Sequence, residues 1–188
     1  MCFNRNRALF FNGQSRFNAC LLTLLLACCA VQPAAAADTI IADESAIEAA
    51  FLYNFALFTE WPNLPANEFR ICVLGSEAVL AALEPVRKKQ IKERPAIITK
   101  ISSATQAQSC QILFVGKSEH AALGKLASQI GNAPVLVVAE ENGYDQKNVI
   151  IALVAQQGRI TFKINRTAAL QNSLAVSSKL LKLAEQVY

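Results

Sequence analysis

Two stretches of this chain repeat one pattern, and together they predict its fold class. Phe69–Leu83 reads FRICVLGSEAVLAAL, and Gln111–Leu126 reads QILFVGKSEHAALGKL. Each begins as an apolar strand, continues through a glycine, and then opens an Ala/Leu helix with Ser-Glu. Strands that are apolar at every position are typical of parallel sheets whose two faces are both covered. The pattern therefore predicts strand–helix units packed around a parallel sheet.

Further segments extend this sheet. Ala96–Ile101 (AIITKI) and Pro134–Glu140 (PVLVVAE) are predicted to be strands. Val149–Val154 and Arg159–Ile164 flank Gln156-Gln157-Gly158, which is a hairpin signal. We expect a single α/β domain with a largely parallel sheet, helices on both faces, and a C-terminal β-hairpin and helix.

The chain after the hairpin is predicted to form one helix. Asn165 is placed to cap its start. An apolar stripe at helical spacing runs along it, formed by Val176, Leu180, Leu183 and Val187. We expect this stripe to pack on the sheet rather than bind a partner.

Aromatic residues concentrate in Phe51–Pro62, which reads FLYNFALFTEWP. Ser45 and Glu48 fit a capping box, and a helical face follows, formed by Ile47, Phe51, Phe55 and Phe58. A strand is possible on the alternation of apolar residues, but the cap and the length favour a helix that Pro62 ends. Tyr53 and Trp61 lie off this face. They are candidates for a partner or dimer surface, although burial in the core is the more common fate.

The first 37 residues have the features of a secretory signal peptide. Three arginines, Arg5, Arg7 and Arg16, precede the apolar run Ala19–Val31, and small residues follow at Ala34–Ala37. The working domain is then expected to be residues 38–188, located in the periplasm. An uncleaved anchor is one alternative. A lipoprotein attached through Cys28 is another, because Leu25-Leu26-Ala27-Cys28 resembles a lipobox.

Charge and cysteine content follow from this cleavage. Removing the three arginines lowers the net charge from +4 to about +1, so the composition indicates no nucleic-acid partner. The basic octet Arg87–Arg94 is interpreted as a solvated loop or helix end. Cys72 and Cys110 are the cysteines that remain, in an oxidising compartment and on strands that neighbour each other in a 2-1-3 order. They form either a disulfide or two buried thiols, and export favours the disulfide.

Residues for catalysis are few. His120 is the only histidine in the sequence, so neither a two-histidine site nor a histidine-based metal cluster is available. The adjacent acids Glu140 and Glu141 are predicted to be solvated. No nucleotide-binding loop motif occurs, and we expect no cofactor.

The glycine-containing loops after the two repeated strands are the candidate ligand site. Crevices in open α/β sheets lie at the carboxyl ends of strands, where helix N-terminal amides hold anions. The candidate ligand-binding residues are Gly75, Ser76, Gly116, Lys117 and Ser118. The alternative is that these residues only form tight turns and helix caps.

Ordered segments along the chain resemble the YfiR-like periplasmic proteins. The resemblance rests on FLYNFALFTEWP, FRICVLG, SCQILFVGKSE, GRITFKIN and SLAVSSKLLKLA, in that order. It implies a non-enzymatic repressor that binds the periplasmic sensor part of an inner-membrane diguanylate cyclase and so lowers cyclic di-GMP and biofilm formation. It also implies a homodimer, release by a peptidoglycan-binding outer-membrane lipoprotein, and a structural disulfide that Cys72 and Cys110 match. The second cysteine pair of some relatives is absent.

Two other functions compete with this repressor. One is a small-ligand receptor that uses the Gly75/Gly116 crevice. The other is a hydrolase of unknown type, which the single histidine argues against.

Overall fold

The computed structural model of the protein describes residues 35–141 and 148–188. The chain divides into two units, Met1–Ala36 and Ala37–Tyr188, and the description below concerns the second, apart from the first two residues of the first helix. Nearly all of the expected signal peptide, with its arginines and Cys28, lies outside the described residues.

Short helices and strands alternate along the chain. The α-helices are α1 (Ala35–Phe58), α2 (Glu77–Ala82), α3 (Leu123–Ile130), α4 (Arg166–Gln171) and α5 (Ser178–Leu183). Three 3₁₀ helices span Glu84–Lys88, Ala104–Ser109 and Lys117–Ala122. The strands are β1 (Thr59–Glu60), β2 (Phe69–Leu74), β3 (Gln90–Ile91), β4 (Arg94–Lys100), β5 (Ile112–Val115), β6 (Leu136–Glu140), β7 (Ile151–Gln156), β8 (Arg159–Ile164), β9 (Ala175–Val176) and β10 (Gln186–Val187).

Eight of these strands form one sheet, in the order β10-β8-β7-β6-β5-β2-β4-β3. The pairs β2/β4, β2/β5, β5/β6 and β6/β7 are parallel, whereas β7/β8 and β3/β4 are antiparallel. The five central strands, taken in chain order, have the doubly wound order 2-1-3-4-5. The predicted α/β fold class is confirmed.

Apolar side chains cover both faces of the sheet, as the continuous apolar strands predicted. In β5, Ile112 and Phe114 join a cluster with α1 and α2, while Leu113 and Val115 join a second cluster with α3. Successive side chains of a strand point to opposite faces, so β2, β5, β6 and β7 each contribute to both cores. The result is two hydrophobic cores separated by the sheet.

Helix α1 is longer than predicted and starts earlier. It begins at Ala35, so Ser45 is a buried residue inside the helix and does not cap its start. The run of alanines before Asp38 is the physical reason, because alanine is the strongest helix former. The helix ends at Phe58, after which Thr59–Glu60 pairs with Ala175–Val176.

Aromatic packing docks α1 on the sheet. The ring of Phe162 in β8 lies 5.4 Å from Phe51 and 5.1 Å from Phe55, both edge-on. Edge-to-face pairs at this distance are favourable and add to the burial of each ring. The concentration of aromatics in this stretch is therefore explained by packing within the fold.

The C-terminal segment differs from the single helix that was predicted. It forms α4 and α5, separated by β9 and followed by β10. Leu180 is buried, but Leu183 and Val187 are 71% and 41% exposed, so the expected stripe packs only in part. Ser173 adopts φ +57°, which ends α4, and Ser177 caps α5 through a bond from the Leu180 amide. The predicted cap at Asn165 is confirmed by its bond from the Ala168 amide.

Two hairpin turns place consecutive residues at positive φ. Gln157 and Gly158 join β7 to β8 and confirm the predicted hairpin. Lys92 and Glu93 join β3 to β4, within the basic octet, where Ile91 is fully buried. Two-residue turns of this kind match the twist of antiparallel strands.

Candidate functional site

The two glycine-containing loops meet at the carboxyl ends of β2 and β5. The Gly116 amide donates to Leu74 O at 2.9 Å, and the Ser118 hydroxyl donates to Gly75 O at 2.9 Å. Ser76 caps α2 by accepting a bond from the Val79 amide at 3.3 Å. The fold therefore brings the predicted ligand-site residues together at the carboxyl ends of two central strands.

Contact between these loops leaves little room for a ligand. A Cβ atom built on Gly116 would lie 2.6 Å from Gly75 O, and one on Gly75 would lie 2.3 Å from Glu119 Cγ. Gly75 also adopts φ +76°, a left-handed conformation that glycine reaches without strain. A small anion bound between these loops would require them to separate.

Two glutamates, one buried and one partly buried, form an acidic pair next to these loops. Glu48 of α1 is 7% exposed, and its side chain is hydrogen-bonded to that of Glu140 at the end of β6. Burial, followed by the neighbouring Glu140 charge, raises the pKa of Glu48 from 4.5 to about 8. The pair therefore holds a proton at neutral pH, because two adjacent carboxylates do not both ionise.

Lys117 connects the loop to this acidic pair. Its backbone amide donates to Glu140 Oε2 at 2.9 Å, and its ammonium nitrogen lies 3.9 Å from the same oxygen. Lys163 of β8 binds both carboxylate oxygens of Glu141, at 3.0 and 3.2 Å, and this bond raises the pKa of Lys163. The prediction that Glu140 and Glu141 are solvated was wrong, since both are partly buried and paired.

His120 is buried near the same strand ends, in the 3₁₀ helix Lys117–Ala122 that follows β5. Burial lowers the pKa of its imidazole, and Glu140 acts in the opposite direction. A histidine at the start of a predicted helix would more often lie at the surface or cap the helix, so its burial was not predicted from the sequence. The Nε2 atom of His120 is buried and has no hydrogen-bond partner among the described residues.

Cys72 and Cys110 form the expected disulfide, with Cα atoms 5.9 Å apart. Cys72 lies in β2, and Cys110 comes just before β5, which pairs directly with β2. Both cysteines are buried in the core on the α3 side of the sheet. The bridge thus ties two neighbouring strands at the centre of the fold.

Tyr53 and Trp61, the candidates for a partner surface, have different environments. Trp61 is buried and packs edge-on against Phe69 at 5.1 Å, so it belongs to the core. Tyr53 is half-buried, and the Lys89 ammonium lies 4.4 Å above its ring. Of the two, Tyr53 is the residue that reaches the surface.

Two further features concern metals and membranes. In the part of the chain that the structure describes, no group of three or more His, Cys, Asp or Glu side chains is arranged to hold a metal ion. None of the described helices has both the length and the hydrophobicity required to cross a bilayer.

Comparison with solved structures shows that the fold of this chain is similar to that of a known protein. A conserved domain protein from Vibrio cholerae O1 biovar eltor str. N16961 superposes with a TM-score of 0.51 at 13% identity, covering 77% of this chain and 60% of that one. A Streptococcus pneumonia ABC domain in complex with L-Trp gives 0.46 at 11% identity, covering 64% of this chain and 55% of that one. This chain thus spans about 60% of the Vibrio protein's length. No curated protein matches.

The comparison with family models gives a firmer result. The model for DUF4154, described as YfiR/HmsC-like, matches residues 45–185. This span contains the central sheet, the disulfide and the acidic pair. The chain therefore belongs to the YfiR/HmsC-like family.

Proposed function

We propose that this protein is a periplasmic repressor of an inner-membrane diguanylate cyclase. It binds the periplasmic sensor part of the cyclase and holds the enzyme inactive. Cyclic di-GMP then stays low, and biofilm formation is restrained. The protein acts by binding and uses no cofactor and no catalysis of its own.

Family membership is the observation that carries this proposal. The family match extends over residues 45–185, which is nearly the whole domain. YfiR-like proteins are periplasmic regulators rather than enzymes, and the family suggests a role in controlling diguanylate cyclase. The presence of a single histidine in the sequence, His120, also argues against a hydrolase.

Three further elements complete the proposal. The signal peptide of residues 1–37 directs export and is removed. The repressor acts as a homodimer. A peptidoglycan-binding lipoprotein of the outer membrane releases the cyclase by sequestering the repressor.

A binding measurement with purified components tests the proposal. The periplasmic sensor parts of the organism's inner-membrane diguanylate cyclases are expressed separately, and each is titrated with residues 38–188 by calorimetry. We expect one of them to bind in the micromolar range or tighter, at about −8 kcal/mol or below. The periplasmic domain of an inner-membrane receptor that lacks a cyclase serves as control. Binding to none of the cyclases, or equal binding to the control, would contradict the proposal.

A further inference from the structure

A groove on the outer side of the domain is not explained by packing within the fold. It runs between α1 on one side and α2 with the 3₁₀ helix Glu84–Lys88 on the other, and its volume is about 850 Å³. Its lining is mostly small and apolar: Ala46, Ala49, Ala50, Ala78, Ala81, Ala82, Pro85 and Val86, with Ser45, Tyr53, Asn54 and Lys89. Concave apolar surfaces of this size are commonly binding sites.

The wall formed by α1 is apolar where it faces solvent. From Ser45 to Phe58 the exposed residues are Ala46, Ile47, Ala50, Asn54 and Leu57, and none of them is charged. Ile47 and Leu57 are 42% and 36% exposed. The Asn54 side chain donates to Ala50 O at 2.8 Å. An uncharged helix face of this length in contact with water marks an interaction surface.

One end of the groove is positively charged. Lys89 lies over the Tyr53 ring there, and Lys88 precedes it in the chain. Arg87 is already paired with Glu84 at 2.9 Å, whereas no described acidic residue forms an ion pair with Lys88 or Lys89. The groove therefore combines an apolar trough with one cation at its end, Lys89, which forms no ion pair with a described acidic residue.

The shape and charge of the groove indicate what kind of partner segment binds there. Small residues on both walls allow a third helix to approach closely, at the 8–10 Å interaxial distance usual for packed helices. Apolar anchors at helical spacing would fill the trough, and an acidic group at one end would meet Lys89. A concave surface is not complementary to its own copy, so the shape disfavours a twofold contact between two grooves.

We propose that this groove is the docking site for an amphipathic helix of the membrane-anchored partner, with an acidic residue at the end that meets Lys89. The inference rests on the proposed function, because the partner is the cyclase sensor part. It adds the surface, the conformation of the bound segment and the sign of its charge.

The test uses two groove variants and two matched controls. Ala50→Glu places a charge in the trough, and Ala121→Glu makes the same change at an exposed position of the 3₁₀ helix Lys117–Ala122. Lys89→Glu reverses the charge at the basic end, and Lys125→Glu reverses an exposed charge on α3. Thermal unfolding of each variant verifies that it is folded.

The readout is the calorimetric affinity for the cyclase sensor part that binds the wild-type chain. We expect Ala50→Glu to weaken binding by about tenfold or more, and Lys89→Glu to weaken binding and reduce its salt dependence. Both controls should bind as the wild type does. If a folded Ala50→Glu and Lys89→Glu bind with wild-type affinity, the docking site is wrong while the repressor function stands. If the wild-type chain binds no cyclase sensor part, both proposals fail.

The same variants reveal other occupants. Light scattering measures whether Ala50→Glu abolishes self-association, and native mass spectrometry measures whether it removes a co-purified long-chain anion. Either effect, together with unchanged cyclase binding, would assign the groove to a second copy or to a lipid and overturn the inference.

Discussion

The carboxyl groups of Glu48 and Glu140 are hydrogen-bonded to each other, and this contact joins helix α1 to the end of strand β6. Glu44 and Glu140 raise the proton affinity of Glu48, and Lys117 lowers it. Burial raises the proton affinity of Glu48 more than these charges do, and together they raise its pKa to about 8. The stability of α1 on the sheet should therefore depend on pH.

The protein should lose stability as the pH rises to 8. The folded state binds the Glu48 proton more tightly than the unfolded state, whose carboxyl titrates near 4.5. Stability from this group is thus fully present below about pH 4.5 and is lost progressively up to about pH 8, by on the order of a few kcal/mol. Urea unfolding at several pH values measures the free energy of unfolding and so tests this loss.

Glu48→Gln is the variant that isolates this effect, with the exposed Glu84→Gln as its control. The glutamine still donates a hydrogen bond to Glu140 but carries no titratable proton, so its stability should be flat between pH 6.5 and 8.5. Burial lowers the pKa of His120, which acts with opposite sign below 6.5, so the higher range is the informative one. A wild-type chain equally stable at pH 6.5 and 8.5 would contradict the coupling.

Removing the disulfide should destabilise the fold. Cys110→Ser opens a bridge between residues 38 apart in sequence, and the expected loss is about 2–5 kcal/mol. In the cell the variant should be degraded faster, which would derepress the cyclase. Titration of free thiols in the unfolded periplasmic wild-type protein, before and after reduction, shows whether the disulfide has formed. Two free thiols before reduction would show that it does not form there.

Two glycines should respond to alanine in opposite directions. Gly75→Ala would place Cβ against Glu119 and Ser118 at φ +76°, so we expect a loss of about 1–3 kcal/mol. Gly124 lies in α3 with nothing within 4 Å of an added Cβ, so Gly124→Ala should gain up to about 1 kcal/mol. Denaturant midpoints of the two variants test this, and a neutral Gly75→Ala would mean that the loops are not in close contact.

Alanine substitutions at the two leucines of the C-terminal stripe should differ in their effect on the free energy of unfolding. Leu180 is 2% exposed, so Leu180→Ala should lose about 2–5 kcal/mol through the cavity it leaves. Leu183 is 71% exposed, so Leu183→Ala should stay within about 0.5 kcal/mol of the wild type. An unchanged melting temperature for Leu180→Ala, with cyclase binding lost, would instead identify a binding face.

The sheet was predictable because its signals are local. Each strand–glycine–helix unit is written in consecutive residues, and the neighbouring position of Cys72 and Cys110 follows once the strand order is known. The hairpin turn at Gln157-Gly158 is equally local. Patterns of this kind need no information about distant parts of the chain.

The features that were missed depend on distant contacts. Glu48 fits a capping box in sequence, and its pairing with Glu140 arises only when α1 packs over β6. The C-terminal segment keeps helical spacing, yet β9 pairs with β1 far upstream and divides it. Asn165 and Ser177 are both N-cap residues, so two caps in one segment were the available sign of two helices.

Repression of a diguanylate cyclase by this protein can be measured in living cells through the concentration of cyclic di-GMP. Its concentration is measured by mass spectrometry in the wild type, in a strain lacking this gene, and in a strain that also lacks the cyclase bound in vitro. We expect cyclic di-GMP to rise when the gene is deleted, to return to the wild-type level on complementation, and not to rise when the cyclase is absent too. A concentration that is unchanged by deletion, or that rises without the cyclase, would contradict repression of the cyclase by this protein.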